Sequence, residues 1–275
     1  WQYYLRKFDI NDNLTINGDL GGFGVFLPLT LLRKIYNNFF LFILFGIKFF
    51  FTDLYKIFKN IENEQRRCID LNVIRHYFTF EFLQKNIFTH EKIDNVCVIG
   101  DGRCNFVSPA LKSNIFNKII SVNLTEVLLF DLLLLEKQTS INKNEIGVAS
   151  SINQFDDLLK NKDIKLILIS AQNSHYLVDK NISLFVNISS FQEMTLETIS
   201  EYFDIIKSNN SFFYCCNRVY KKLIGGEVTE FAKYNWGNAR IIIDELCPWS
   251  QKYYTKKFPF IVKYDGEIQH RLVKY

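Results

Sequence analysis

No run of lysines and arginines, no internal repeat and no bilayer-length apolar stretch occurs in this 275-residue chain. Its net charge of +4 comes from 33 basic and 29 acidic residues spread thinly along it. The electrostatic footprint of a nucleic-acid binder is missing, and no nucleic-acid partner is expected. Residues 39–51 are the most apolar stretch, but they fall short of the ~20 residues a spanning helix needs, and Lys48 interrupts them. No small-residue cleavage site follows them. They read as a buried helix, with shallow association with a membrane surface as the alternative. Histidines number only four and are scattered, and no pair among the six cysteines (Cys68, Cys97, Cys104, Cys215, Cys216, Cys247) has metal-ligand spacing. Neither a disulfide framework nor a structural metal centre is expected, and reduced thiols suit a cytoplasmic protein. The chain opens on Trp1, not Met, so a preceding segment is expected.

Hydrophobic residues at 48% and charged residues at 23% belong to a globular chain, long enough for one substantial core with or without a smaller cap. The most informative stretch is NVCVIGDGRCN, residues 95–105. Val96, Cys97, Val98 and Ile99 form an apolar run that predicts a buried strand, and it stops at Gly100-Asp101-Gly102. A helix-compatible segment follows. A strand that breaks into Gly-x-Gly and then enters a helix brings backbone close to a ligand. Gly100 can take positive φ, and Gly102 puts no side chain in the way. α/β proteins hold the adenosine part of a nucleotide or of S-adenosylmethionine in this manner, although buried strands also end in such turns with no ligand. About twenty residues on, a second apolar strand at 118–122 ends in Asn123-Leu124-Thr125-Glu126. Its tip is where such folds carry the side chain that meets the ribose hydroxyls. Asn123 stands where an Asp is usual; its amide still bonds a hydroxyl but gives up the charge. Its plainer role is to shape a turn.

Residues 1–90 carry helical patterns at 31–58 and 68–88 and are expected to form an N-terminal helical cap. They follow a glycine-rich start, Gly18-Asp19-Leu20-Gly21-Gly22-Phe23-Gly24, which either lines a ligand site or serves as a flexible loop. From about Ile93 short apolar strands alternate with helices. This predicts an α/β unit over residues 91–275, a mostly parallel sheet with helices on both faces. Strands are expected at 96–99, 119–122, 164–169, 184–188, 212–216 and 241–243, with 260–263 and 268–273 as a final pair around Asp265-Gly266. Crossover helices are expected at 125–137 and 196–207, the second capped by Thr195. Residues 139–163 read as a connector with a short helix at 154–160.

Three further blocks carry a resemblance: LFVNISSFQEM (184–194), FYCCNRVYKKLIGGE (213–227), and YNW (234–236) with DELCPWSQ (244–251). In this order they resemble the sugar O-methyltransferase family, within the Rossmann-like, S-adenosylmethionine-dependent class, over roughly residues 93–255. The resemblance implies S-adenosylmethionine as cofactor, held by Gly100, Asp101, Gly102, Asn123, Leu124 and Asn187. It also implies methyl transfer to a hydroxyl of a sugar, nucleotide sugar or glycan precursor. Glu126 matches the Glu that opens the next helix, and residues 187–194 match the exit that borders the transferable methyl. The chain departs from the pattern at Val98, where an acidic residue is frequent, at Cys104, where a third glycine is usual, and at Asn123. Each departure removes a favourable contact or narrows the turn, which points to weak cofactor affinity or to lost activity.

Methyl transfer from a sulfonium to a hydroxyl is an in-line displacement that needs the oxygen held near the methyl and its proton shared or removed. Glu193 is the first candidate base, just beyond the fourth strand; its alternative is a cap for the helix beginning near Thr195. Asp244 and Glu245 are the second candidates, against a solvated strand end or a magnesium site. His175, past the third strand, either faces adenine or substrate or is an ordinary loop residue. Trp236 and Trp249 offer stacking surfaces for a sugar ring or simply fill the core. Arg218 and Lys221 either bind an anionic group on a nucleotide-linked sugar or lie on the surface. Two other functions compete: an NAD-dependent sugar-modifying enzyme, disfavoured by the missing third glycine, and a catalytically silent ligand-binding domain, favoured by the three departures.

Overall fold

The computed structural model describes residues 9–10, 16–17, 31–67, 70–255 and 258–275. The glycine-rich segment 18–24 and Cys68 lie outside the described residues. A short antiparallel pair, β1 (Asp9–Ile10) and β2 (Ile16–Asn17), precedes three helices, α1 (Leu31–Phe45), α2 (Asp53–Glu64) and α3 (Leu71–Leu83). The alternating part runs β3 (Asn95–Ile99), α4 (Val107–Ser113), β4 (Lys118–Asn123), α5 (Thr125–Lys137), β5 (Ile146–Ala149), α6 (Ile152–Lys160), β6 (Leu166–Ser170), β7 (Leu184–Ile188), α7 (Leu196–Ser208) and β8 (Phe212–Arg218). Strands complete the chain: β9 (Tyr220–Lys222), β10 (Val228–Glu230), β11 (Arg240–Leu246), β12 (Lys252–Tyr254), β13 (Ile261–Lys263) and β14 (Ile268–Lys274).

Polar side chains set the helix starts. The Thr52 hydroxyl accepts from Tyr55 N at 3.2 Å to open α2, and the Asp70 carboxylate accepts from Asn72 N at 2.9 Å and Val73 N at 3.1 Å to open α3. Thr195 opens α7 as expected, accepting from Thr198 N at 3.3 Å. The helical pattern over 31–58 is not one helix. It breaks at Gly46, whose φ is +75°, passes through a 3₁₀ turn at Ile47–Phe51, and restarts after Thr52 in extended backbone. Nor is the apolar stretch 39–51 wholly buried. Phe40, Leu41 and Phe49 face inward, whereas Phe39, Ile47 and Phe51 are exposed, because only one side of α1 meets the rest of the molecule. No helix among the described residues is long and apolar enough to cross a membrane.

The main sheet has eight strands in the order β11-β14-β8-β7-β3-β4-β6-β5. Neighbours are parallel except around β14, which runs antiparallel to both β8 and β11. The expected mostly parallel, Rossmann-like sheet with helices on both faces is therefore present. Coverage of both faces explains why the central strands are apolar at nearly every position. Val96, Val98, Val186 and Tyr214 pack toward Phe80 and Leu83 of α3, Val107 of α4 and Leu128 of α5. Cys97, Ile99, Phe185 and Phe213 pack toward Phe155 of α6 and Ile199 and Phe203 of α7. α2 and α3 have a smaller core of their own, built on Phe58, Ile74 and Tyr77.

Two strand assignments differ from expectation. The segment 260–263 does not pair with 268–273: β14 already has β8 on one edge and β11 on the other, so β13 pairs with β12 instead. The connector at 139–163 contains the edge strand β5 as well as α6. That strand is four residues long, too short to stand out, and Gly147 within it packs under the Leu158 side chain, which would have to shift for a Cβ that would otherwise sit 2.6 Å from its Cδ2.

β3 lies between β4 and β7. The chain leaves β3 toward one side and returns to the other only with β7, so the two strands' carboxyl ends flank a topological switch point, where such sheets bind ligands. Phe185 is fully buried at the centre of β7. Phe185→Ala should lower the unfolding free energy by about 3–5 kcal/mol, measured by urea denaturation; a loss below about 1 kcal/mol would be inconsistent with this packing.

Candidate active site

The turn after β3 is built on left-handed backbone. Gly100 has φ +72°, Gly102 +75° and Cys104 +52°. A Cβ on Gly100 would lie 2.3 Å from the Ser190 Oγ, so the exits of β3 and β7 touch through a position that only glycine fills. Asn187, fully buried at the end of β7, ties the same junction together. Its Nδ2 donates to the Ile99 carbonyl at 3.0 Å, while its Oδ1 accepts from Phe191 N at 3.2 Å and Asn217 Nδ2 at 2.8 Å. Ser189, the next residue but one, is itself held at φ +59°.

Above this junction lies a cavity of about 450 Å³. Gly100, Asp101 and Gly102 form one wall, Ser189, Gln192 and Glu193 another, and α3 closes it with Asn72, Arg75 and His76. Those three stand at i, i+3 and i+4, hence on one helix face. Asp101 lines the wall, yet its carboxylate is spent inward: it accepts from Phe106 N and Val107 N, both at 2.9 Å, and so caps α4. His76 Nδ1 lies 2.7 Å from the Asn72 carbonyl, and a carbonyl only accepts, so Nδ1 carries the proton. Nε2 then faces the Asp101 carboxylate at 3.5 Å. Burial pushes the His76 imidazole below its ordinary value, against the opposing pull of the Asp101 charge.

Of the residues singled out in the sequence, Gly100, Asp101, Gly102, Glu193, Arg218 and Lys221 meet at this cavity, and Asn187 braces its floor. Glu193 is not the cap of α7. Thr195 fills that role and Glu227 Oε1 takes the Leu196 N–H at 2.8 Å, whereas Glu193 pairs with Lys221 at 3.5 Å. Asn123 lies elsewhere. It is 2% exposed, and its Nδ2 donates to Asp131 Oδ2 at 3.0 Å on α5. Leu124 leads into α5 without lining the cavity. His175 is exposed in the 3₁₀ turn after β6. Asp244 and Glu245 sit on the edge strand β11 and point apart, Asp244 accepting from Arg271 Nη2 at 2.7 Å and Glu245 lying 3.3 Å from His270 Nε2. They therefore do not share an ion, and no group of three or more metal-ligating side chains is assembled among the described residues. Trp236 and Trp249 belong to the core: Trp236 Nε1 donates to the Phe231 carbonyl at 2.8 Å, and Trp249 packs against Phe78 and Phe82.

Sequence reasoning placed a helix over 68–88 but passed over the part α3 plays at the cavity. Its one available signal was the polar triplet Asn72, Arg75, His76 on a single face of an otherwise apolar helix, beginning two residues after the capping Asp70. It also passed over a buried ionic cluster beside the turn, where Glu62 pairs with Arg67 Nε at 2.7 Å and Arg67 Nη1 donates to Asn105 Oδ1 at 2.8 Å. Burial pushes the Glu62 carboxyl up to about 8 in spite of the Arg67 charge, and among the described residues Asp131 has no cation in contact. Burial pushes its carboxyl up to about 7, the Asp101 charge adding to the effect and the bond from Asn123 opposing it.

No family model matches the chain, and no curated protein matches it. Among solved structures it is similar to M. capricolum TrmK in complex with S-adenosyl-homocysteine, at 11% identity over 72% of this chain and 67% of that one, with a TM-score of 0.40. It is similar to an S-adenosylmethionine-dependent methyltransferase from Clostridium acetobutylicum at 13% identity over 86% and 98% of the two chains, with a TM-score of 0.42. The methyltransferase domain of bacterial CtHen1 matches at 15% identity over 75% and 100%, with a TM-score of 0.40.

Two outcomes follow from the Asn123–Asp131 contact. Asn123→Asp, which a ribose contact would make favourable, here sets a second carboxylate against Asp131 and removes the donor. It should destabilise the fold by about 1–3 kcal/mol, more at pH 8 than at pH 5. Separately, Asp131 holds a proton at pH values where the unfolded chain, near 3.8, has released it. Its contribution to stability is complete below 3.8, declines as pH rises, and is gone above about 7. The Asp131→Asn variant should lack this downward slope in denaturation measured from pH 4 to 8; parallel slopes would contradict the shift.

Proposed function

We propose that this chain is an S-adenosylmethionine-dependent methyltransferase that transfers a methyl group to a hydroxyl of a sugar or glycan precursor. The observation that carries the reading is the left-handed Gly100-Asp101-Gly102 turn at the β3–β7 switch point, open to a cavity of about 450 Å³. Bare backbone at Gly102 suits a cofactor there, while Gly100 makes room for Ser190 and Asn187 keeps the turn in register with the exit of β7. When bound, the cofactor supplies an electrophilic methyl on a sulfonium. The chain's own part is to bind and orient the acceptor hydroxyl and to take up its proton. Glu193 is the base in this reading, with Lys221 holding its carboxylate at the cavity wall. The helices before residue 90 act as the cap, α3 excluding water from the turn with Asn72, Arg75 and His76.

A second reading, a catalytically silent ligand-binding domain, is favoured by one specific observation. Asn123, the side chain that would meet the ribose, is turned inward to Asp131. Calorimetric titration with S-adenosylhomocysteine and with NAD tests these alternatives together. Binding of the first alone supports the methyltransferase reading, binding of NAD alone replaces it with the oxidoreductase alternative, and binding of neither removes both. For the chemistry, Glu193→Gln keeps size and hydrogen bonding but loses basicity. Methyl transfer to a sugar acceptor should fall about 10²–10⁴-fold with the Tm unchanged; near-normal turnover would exclude Glu193 as the base.

A further inference from the structure

A second cavity, of about 760 Å³, adjoins the first and opens between α1, the start of α3 and the β12–β13 hairpin. Tyr36, Tyr253 and Tyr254 contribute to its walls. The two cavities share four residues, Asn72, Arg75, Arg218 and Tyr264, which form the seam between them. Both guanidinium groups lie over the Tyr264 ring, Arg75 at 4.6 Å and Arg218 at 4.9 Å from its centroid.

These cations are under-used. Arg75 is 6% exposed, and its Nη1 donates to Asn72 Oδ1 at 3.2 Å, while Nε and Nη2 are buried with no acceptor among the described residues. Arg218 Nε is likewise buried without an acceptor among the described residues. The acidic groups nearby do not answer them. Asp265 lies 3.5 Å from Arg218 Nη1 but is 96% exposed, so water screens it. Asp70 is engaged with the amides of α3 and with Arg103, and Glu193 with Lys221. A buried guanidinium with open donors is costly unless a bound group completes it.

We propose that Arg75 and Arg218, seated on Tyr264, clamp the diphosphate of a diphosphate-linked acceptor. The reacting end then lies toward the glycine turn, and the group beyond the diphosphate occupies the tyrosine-walled outer cavity. The planar forks of two arginines match phosphoryl oxygens bidentately, and one buried and one partly buried cation call for more negative charge than one exposed carboxylate supplies. Burial raises the Tyr264 phenol, but the charges of Arg75 and Arg218 and the hydrogen bonding of both side chains to it outweigh burial and hold the phenol below its ordinary value. The assignment rests on the methyltransferase reading for the term acceptor; the clamp itself does not.

The test is calorimetry on the full chain with inorganic pyrophosphate, uridine diphosphate and S-adenosylhomocysteine, each titrated into the native protein, Arg75→Gln, Arg218→Gln and the hairpin control Lys263→Gln. Pyrophosphate affinity should fall about tenfold or more in either arginine variant and hold in the control, and uridine diphosphate should bind more tightly than pyrophosphate. In the native protein, pyrophosphate should also raise the pH at which phenolate absorbance appears, a change absent from Tyr264→Phe. That readout stands even if an arginine variant folds poorly. No pyrophosphate binding, or equal binding in all variants, overturns the clamp. Loss of S-adenosylhomocysteine binding with pyrophosphate binding intact also overturns it, assigning the guanidiniums to the cofactor's carboxylate. Pyrophosphate binding that depends on the arginines, without any S-adenosylhomocysteine binding, keeps the clamp and removes the methyltransferase reading instead.

Discussion

The molecule is organised around the contact between the exits of β3 and β7. At Gly100 there is no space for a Cβ, because Ser190 Oγ would be 2.3 Å away. The two parallel strands can approach this closely only if one ends in glycine and the other supplies small polar side chains. Asn187 then converts proximity into register, spending all of its amide on the Ile99 carbonyl, Phe191 N, Asn217 and Ser190. A buried amide with every group satisfied is a rigid element, since any displacement strands a polar atom away from water. The cavity above inherits that rigidity: its floor is fixed by the sheet, and variation is left to the parts that close over it.

Helix α3 closes it, and it serves two masters. Its apolar positions, Phe80 and Leu83 among them, belong to the core on one face of the sheet, and Ile74 and Tyr77 belong to the core shared with α2. Asn72, Arg75 and His76 are left for the cavity. The position of these polar groups is therefore set by packing some distance from them, with Asp70 fixing where the helix begins. β12 and β13 complete the arrangement from the other side as a separate hairpin, since β14 has both its edges occupied.

A cluster of buried ionic and polar groups lies beside the turn. Glu62, Arg67, Arg103, Asn105, Asn123 and Asp131 are all largely withdrawn from solvent there. An ionic group removed from water must find a partner or give up its charge. Glu62 is paired with Arg67, yet burial still pushes its carboxyl up to about 8, and Asp131, bonded by neutral donors, is pushed up to about 7, so burial moves both carboxyls toward the neutral form. Asn123 is recruited into this cluster, and the polar tip of β4 thereby faces inward.

The sequence by itself determined the sheet. Apolar runs such as those at β3, β6 and β7 have only one stable outcome when both faces are covered, and Gly100-Asp101-Gly102 can be read as a tight exit because the constraint is local. Thr195 as a cap was legible for the same reason. What lay beyond it were matters of direction and partnership. Nothing local says that Asn123 turns toward Asp131, that Asp244 and Glu245 point apart on an exposed edge, or that residues 261–263 pair backward with β12. Nor could the chain alone bring Arg75 and Arg218, 143 positions apart, over one tyrosine ring. Backbone hydrogen bonding and periodic burial are decided within a few residues, whereas the environment of a polar side chain depends on whichever distant segments pack around it.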